Sequence, residues 1–403
     1  MRMNNTKNQV NLSLLLSTLF LGYVIVYIDK LSVGISIISI SKDIPMTESQ
    51  KGLILSAFFI GYAIMQVPMS FAINKFGAKK VLIWSVFMIG VFDLIFSFGQ
   101  TVTMLLAIRL LTGMLAHSGY PSASSKEIID HFPIERRTFA KGILISSSGI
   151  AGVIGPVLLS PIIDKYNWKF AYILLTILAI VASFIIAKGI PTPQKQAEEM
   201  IKEDTEKVSL LKIWKNRNIW TLFAAAFFVN SLLYGINNWL PSFLTSQRGI
   251  TLTQSGFVSS CVGVFALVGA IGGSFVVSKF FADKDTLVIK IMAIIGSSLV
   301  FLSYYVHSLA LFILILGLAT LSMTVAFVTL MTIPLKVFTG KNFAPSYSTI
   351  STGGILGGAT AQIIIGALVD SSDSYLSAFI YFLALGILAA ASLMFLKKGA
   401  ENY

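Results

Sequence analysis

Polar and apolar residues along this chain fall into long blocks rather than a short-period alternation. Apolar runs of about 20 residues, nearly free of charge, are separated by short polar stretches. A helix that crosses a bilayer needs roughly 20 predominantly apolar residues, and it satisfies its own backbone hydrogen bonds where no water can. The pattern predicts twelve such helices, at about 11–38, 49–73, 79–98, 101–125, 139–163, 168–189, 218–243, 253–278, 286–307, 309–335, 344–369 and 374–396. Between the sixth and seventh lies a long polar stretch, from about Pro191 to Arg217, carrying Lys195, Glu198, Glu199, Lys202, Glu203, Asp204, Glu206 and Lys207. It divides the chain into an N-terminal six-helix half (1–190), a central loop (191–217) and a C-terminal six-helix half (218–403). The expected fold is an all-α membrane protein.

Composition agrees with this reading. Charged residues are 12% of the 403, about half the share of a soluble domain, so lipid is the expected surroundings. The remaining charge is basic, with a net of +12. A soluble protein so charged would suggest nucleic acid. Here Lys and Arg gather in the even-numbered loops and at both ends, which reads as topology. It places both termini and the central loop in the cytoplasm, in a multi-pass protein of the cell membrane. Arg2 and Lys7 precede an apolar run with no small-residue cleavage site, so the first helix is expected to be retained. Cys261 is the single cysteine, which rules out an intrachain disulfide or thiolate cluster. There is no Walker A segment, His-Glu-x-x-His or nucleophile elbow. Neither an enzyme nor an ATP-driven pump is expected, and no cofactor.

The two halves repeat each other. Ser70-Phe-Ala-Ile-Asn-Lys-Phe-Gly-Ala-Lys-Lys80 aligns with Ser274-Phe-Val-Val-Ser-Lys-Phe-Phe-Ala-Asp-Lys284, with six of eleven positions identical at an offset of 204. The same offset pairs Thr47 with Thr251, Gln50 with Gln254, Gly52 with Gly256, Ser56 with Ser260 and Gly149 with Gly353. Two pseudo-symmetric repeats in one orientation are the architecture implied.

Ionised groups inside a membrane helix cost roughly 2.5–3.5 kcal/mol each on insertion scales, so each needs a reason. Asp29, Lys30, Asp93 and Arg109 are the clear cases. Counted from the outer ends of helices one and four, Asp29 and Arg109 lie roughly 12–14 Å deep, near the midplane. Asp29, Lys30 and Arg109 can therefore share one layer, at the depth where carriers of this build hold solute. Arg109 could grip a carboxylate in a two-toothed fork and Lys30 act as a point charge. Asp29 would take up and release a coupling proton; the bland alternative is an Asp29–Arg109 ion pair that only fastens two helices. Asp93, nearer the outer end of helix three, could reach the interface or join Lys30 or Arg109. His117 is a candidate proton acceptor, against the commoner role of a packing histidine. In the C-terminal half, Asn230, Tyr234 and Asn237 recur at one helix face, and Gln362 adds a neutral polar group. These suit the hydroxyls of a polyol or sugar acid, or else bond helices to one another.

The loop Asn74-Lys75-Phe76-Gly77-Ala78-Lys79-Lys80 is similar to the signature loop of the major facilitator superfamily, with the opening glycine and the aspartate replaced by Ser70 and Asn74. Gly149-Ile-Ala-Gly152-Val-Ile-Gly155-Pro156 resembles a glycine–proline motif of that superfamily. Within it, Tyr27-Ile28-Asp29-Lys30, the helix from Gly52 through Ser56, Gly61, Tyr62 and Gln66 to Pro68, Asn238-Trp239-Leu240-Pro241, and Arg109-Leu-Leu-Thr-Gly113 resemble the anion:cation symporters. That resemblance implies proton-coupled (or sodium-coupled) symport of a small organic anion such as a sugar acid, by a functional monomer. It also places Tyr27 and Tyr62 beside Lys30 at the solute. The family carries a proton-coupling glutamate seven residues after the arginine; here that position is Ala116, with His117 next to it. Two other readings compete: a proton-antiporting exporter of drugs or metallophores, for which the Lys30 and Arg109 layer is unsuited, and a transport-dead sensor on the same scaffold.

Overall fold

In a computed structural model of the chain, the residues described are 11–191, 213–281, 284–338 and 343–396. They form twelve helices: α1 (Leu12–Asp43), α2 (Glu48–Phe76), α3 (Ala78–Ser97), α4, α5 (Ile134–Lys165), α6 (Trp168–Gly189), α7 (Arg217–Gln247), α8, α9 (Asp285–Tyr304), α10 (Leu309–Val337), α11 (Phe343–Ser372) and α12 (Leu376–Ser392). Two are interrupted. α4 runs over Val102–Leu111, a π-helical turn Thr112–His117, then Tyr120–His131; α8 runs over Leu252–Val268, a π-helical turn Gly269–Gly273, then Ser274–Phe280. Among the described residues eleven of these helices are long and apolar enough to cross a bilayer; the other is the 29-residue α2. Most of the central polar stretch, including Lys195 to Lys207, lies outside the described residues.

The outer surface shows what solvent the chain is made for. Ile177, Val181 and Phe184 on α6, and Leu287, Ile291 and Ile294 on α9, are exposed. Apolar faces of that extent belong against lipid. Inside, Trp168, Tyr172 and Phe96 are fully buried and pack edge to face or tilted against one another.

The repeat appears in the helix starts. Thr47 opens α2 and Thr251 opens α8, each accepting from the amide of Gln50 or Gln254 at 3.2 Å, while that glutamine accepts back from the threonine amide at 3.0 Å. These are two capping boxes, 204 residues apart. Gly77, between α2 and α3, has φ of 86°, a conformation that costs glycine little and other residues more. That turn presents the Lys75–Lys80 loop.

The halves meet along α2 with α11, α5 with α8, and α1 with α7. Small residues set the spacing. A Cβ on Gly34 would lie 2.9 Å from Asn238 Cα, and one on Gly263 2.7 Å from the Gly152 carbonyl oxygen. Gly34 and Asn238 are themselves repeat mates, 204 apart, so α1 and α7 cross at the pseudo-twofold axis. At the end of the bundle where α2 begins, Asp370 of α11 accepts from the Glu48 and Ser49 amides at 2.8 and 2.7 Å. Asp164 of α5 accepts from the Thr253 hydroxyl of α8 at 2.8 Å. Each helix start is thus held by an acid from the opposite half, where the helix dipole favours a negative charge.

Candidate functional site

α1 runs unbroken past two ionisable residues, and its two neighbouring side chains point into different environments. Asp29 is buried at 1% exposure. Its carboxylate meets the Arg109 guanidinium at 3.4 Å and His117 Nε2 at 2.5 Å, both from α4. The carboxyl of Asp93, from α3, also stands within hydrogen-bonding reach of Asp29. All four groups are buried. Asp93 therefore joins Asp29 and does not reach the interface. The Asp93 Oδ2 and Arg109 Nε atoms have no hydrogen-bond partner.

The π-helical turn explains how His117 arrives there. In a regular α-helix, residue i+7 returns to the face of residue i. A π turn inserts one residue, so the residue eight after Arg109 comes back to its face instead. His117, not Ala116, meets Asp29. The turn is also packed tightly: a Cβ on Gly113 would come within 2.8 Å of the Tyr62 amide of α2. This approach brings Phe58 and Tyr62 beside α4.

Lys30 points the other way, into a box of aromatic rings. Its Nζ lies 4.4 Å from the Tyr234 ring centre, 5.0 Å from Phe59, 5.7 Å from Tyr62, 5.8 Å from Tyr27 and 5.9 Å from Phe58. It donates to the Tyr234 hydroxyl at 2.9 Å. Tyr234 belongs to α7 and is the repeat mate of Lys30, so this bond crosses the seam between halves. Among the described residues no carboxylate lies within 4 Å of that ammonium. A cavity of about 20 Å³ opens beside it, lined by Tyr23, Val26, Tyr27, Lys30, Phe58, Tyr62, His117 and Pro121. That is room for a water and not for a sugar acid, so a solute would enter only when the rings part. Phe58 separates the two environments, with the Arg109 guanidinium 4.7 Å from its ring centre and the His117 ring 4.6 Å away.

Of the residues singled out in the sequence, Tyr27, Lys30, Tyr62, Tyr234, Asp29, Asp93, Arg109 and His117 gather here. Arg109 does not line the cavity; its charge is spent on Asp29. The neutral residues of the C-terminal half are elsewhere. Asn230 donates to Ala226 of its own helix at 3.0 Å. Gln362 is buried and donates to the Tyr234 carbonyl at 3.1 Å. Asn237 is exposed and lines no part of the cavity. Phe58, Phe59 and Tyr23 were not singled out; their signal was an aromatic run, Phe58, Phe59 and Tyr62, on one turn of α2. A second cavity of about 20 Å³, in the C-terminal half among Trp239, Phe243, Tyr375 and Phe379, is wholly apolar and carries no chemistry. Among the described residues no three His, Cys, Asp or Glu are placed to hold a metal ion.

Twelve helices in two facing halves, with a buried charge cluster in the first half and Lys30 bonded across the seam to Tyr234, are the build of a secondary transporter. The chain belongs to the Major Facilitator Superfamily, whose sequence profile matches residues 19–345. A probable sulfoacetate transporter of Cupriavidus necator is 25% identical across 94% of this chain and 93% of its own length. A hexuronate transporter of Bacillus subtilis is 30% identical over 270 residues, 64% of this chain and 62% of the relative. The crystal structure of a bacterial homologue of the human lysosomal transporter Spinster matches with a TM-score of 0.76 at 15% identity, over 95% of this chain and 94% of that one. That last likeness is one of fold.

Proposed function

We propose that this protein carries a small organic anion inward across the cell membrane together with a proton, by alternating access of its two halves, 1–190 and 218–403. One observation carries the reading: the Lys30 ammonium, near the middle of the apolar helix α1, stands on a cavity wall with a hydroxyl but, among the described residues, no carboxylate to answer it. An unanswered charge in that position is costly, and an anionic solute would complete it. The two relatives named above, one for sulfoacetate and one for hexuronate, support the same class of cargo.

A charge count supports proton coupling. Asp29 and Asp93 bring two negative charges and Arg109 one positive, so the buried cluster is neutral when it holds one proton. Asp29, Asp93 and His117 are the groups that can hold it, and His117 touches both Asp29 and the cavity. A ring nitrogen at the carboxylate suits a proton better than sodium, a hard cation that prefers oxygen. The protein works as a monomer, with both termini in the cytoplasm. The caps from Asp370 and Asp164 then close its outer end.

The test is uptake by proteoliposomes with a radiolabelled panel of small carboxylates and sulfonates, under an imposed pH gradient. Acidifying the outside should raise uptake of at least one anion. Asp29→Asn should abolish accumulation against a gradient while leaving exchange of labelled for unlabelled anion. Proton-driven movement of an amphipathic cation, with no anion uptake, would replace this reading with export.

A further inference from the structure

Two features of the Lys30 box restrict what can fill it. The first is charge. With one proton aboard, the Asp29, Asp93 and Arg109 cluster is balanced, and Arg109 is committed to Asp29 on the far side of Phe58. Lys30 is then the uncompensated charge at the cavity, and a single negative charge cancels it. A dianion would leave one negative charge buried beside aromatic rings, whose faces are themselves negative. The second feature is the wall. Five rings surround the ammonium, while the amide groups that would read a row of hydroxyls are bound to backbone or lie off the cavity: Asn230 to Ala226, Gln362 to Tyr234, and Asn237 exposed. Ring faces favour flat, weakly hydrated surface.

We propose that the cargo is a monoanion, a carboxylate or sulfonate, with a flat apolar face: its acid group takes the place of the Tyr234 hydroxyl on Lys30 and its body lies among the five rings around that ammonium. The proposal rests on the anion reading above and narrows it, setting this chain apart from the sulfoacetate relative, whose named cargo carries two negative charges. It also makes Tyr234 a stand-in for the cargo. In the empty carrier its hydroxyl occupies Lys30 and joins α7 to α1; the arriving acid releases that bond, so cargo itself frees one half from the other.

Four probes cross charge with face: benzoate and terephthalate, D-gluconate and D-glucarate. Their binding to the purified full-length protein at neutral pH is measured by calorimetry. Benzoate should bind at least tenfold tighter than terephthalate, and D-gluconate at least tenfold tighter than D-glucarate. Benzoate should also exceed D-gluconate, and Phe59→Leu should reduce that advantage to within twofold. If either dianion binds as tightly as its monoanion, the single-charge rule is wrong while anion carriage stands. If D-gluconate equals benzoate in the unaltered protein, the flat-face rule is wrong. If none of the four binds and proteoliposomes take up no anion, the narrower and the broader reading fail together.

Discussion

Asp29 and Lys30 are neighbours in sequence, and the regions they enter differ in nearly every respect. Behind Phe58, the Asp29 cluster is buried and sets one arginine against two acids, with only His117 reaching the cavity. In front of it, the Lys30 box is aromatic, holds a water-sized cavity and, among the described residues, has no carboxylate beside its charge. Both regions hold one lysine or arginine side chain. In the first, the cation is paired with a carboxylate; in the second, it is the one the proposed anion would meet. Position in the membrane therefore says little about a charge's role, and the partner says most.

The sharpest way to break this comparison is to remove each cation in turn. Arg109→Ala would leave Asp29 and Asp93 facing each other without a counter-charge, a change that costs about 3–5 kcal/mol for a buried pair. Thermal unfolding in detergent should show a large drop in Tm, mostly recovered in the Arg109→Ala, Asp29→Asn double variant. Lys30→Met should do the opposite to stability. It removes an uncompensated charge, worth about 2.5–3.5 kcal/mol on insertion scales, so Tm should rise while anion uptake falls at least about a hundredfold, consistent with losing an interaction of about 2.7 kcal/mol or more. A fall in Tm for Lys30→Met would make Lys30 a structural residue and end the comparison.

Smaller changes sharpen it. Tyr234→Phe keeps the ring and deletes the hydroxyl that competes for Lys30, a hydrogen bond worth about 0.5–1.5 kcal/mol. The Kd for the anion should tighten roughly two- to tenfold; weaker binding would mean the hydroxyl holds the cargo instead of its place. Asn230→Ala, on the same helix but bonded to its own backbone, should cost only about 0.6 kcal/mol of stability and leave uptake within about twofold. A large transport loss there would return the C-terminal polar face to the binding site.

The helices, their order and the repeat were readable in the sequence because hydrophobic blocks of bilayer length have few other uses. The depth estimate also placed Asp29 and Arg109 in one layer, and they meet at 3.4 Å. What could not be read was direction around each helix axis. Asp29 and Lys30 differ by 100° on α1, and no local pattern says which side faces Arg109. Asn230, Tyr234 and Asn237 share a face by spacing, yet only Tyr234 touches Lys30. The π-helical turn was equally hidden. Nothing in Thr112-Gly-Met-Leu-Ala-His117 announces an inserted residue, so Ala116 looked like a missing proton carrier when His117 occupied that face. Aromatic residues were undervalued for a similar reason: Phe58 and Phe59 look like ordinary apolar filler until a cation is seen among them.

The crossing of α1 and α7 at Gly34 and Asn238 gives the molecule a mechanical ratio. If the halves rock about that contact, whose backbones leave no room for a Cβ, each point travels in proportion to its distance from the fulcrum. Lys30 and Tyr234 are one helical turn away, about 6 Å along the axis, whereas the helix ends at Asp43 and Gln247, nine residues off, lie about 14 Å away. The entrance then sweeps about twice as far as the cradle. A gate can swing wide while the cargo is barely disturbed, because the cradle sits close to the hinge pin of the lever that opens the door.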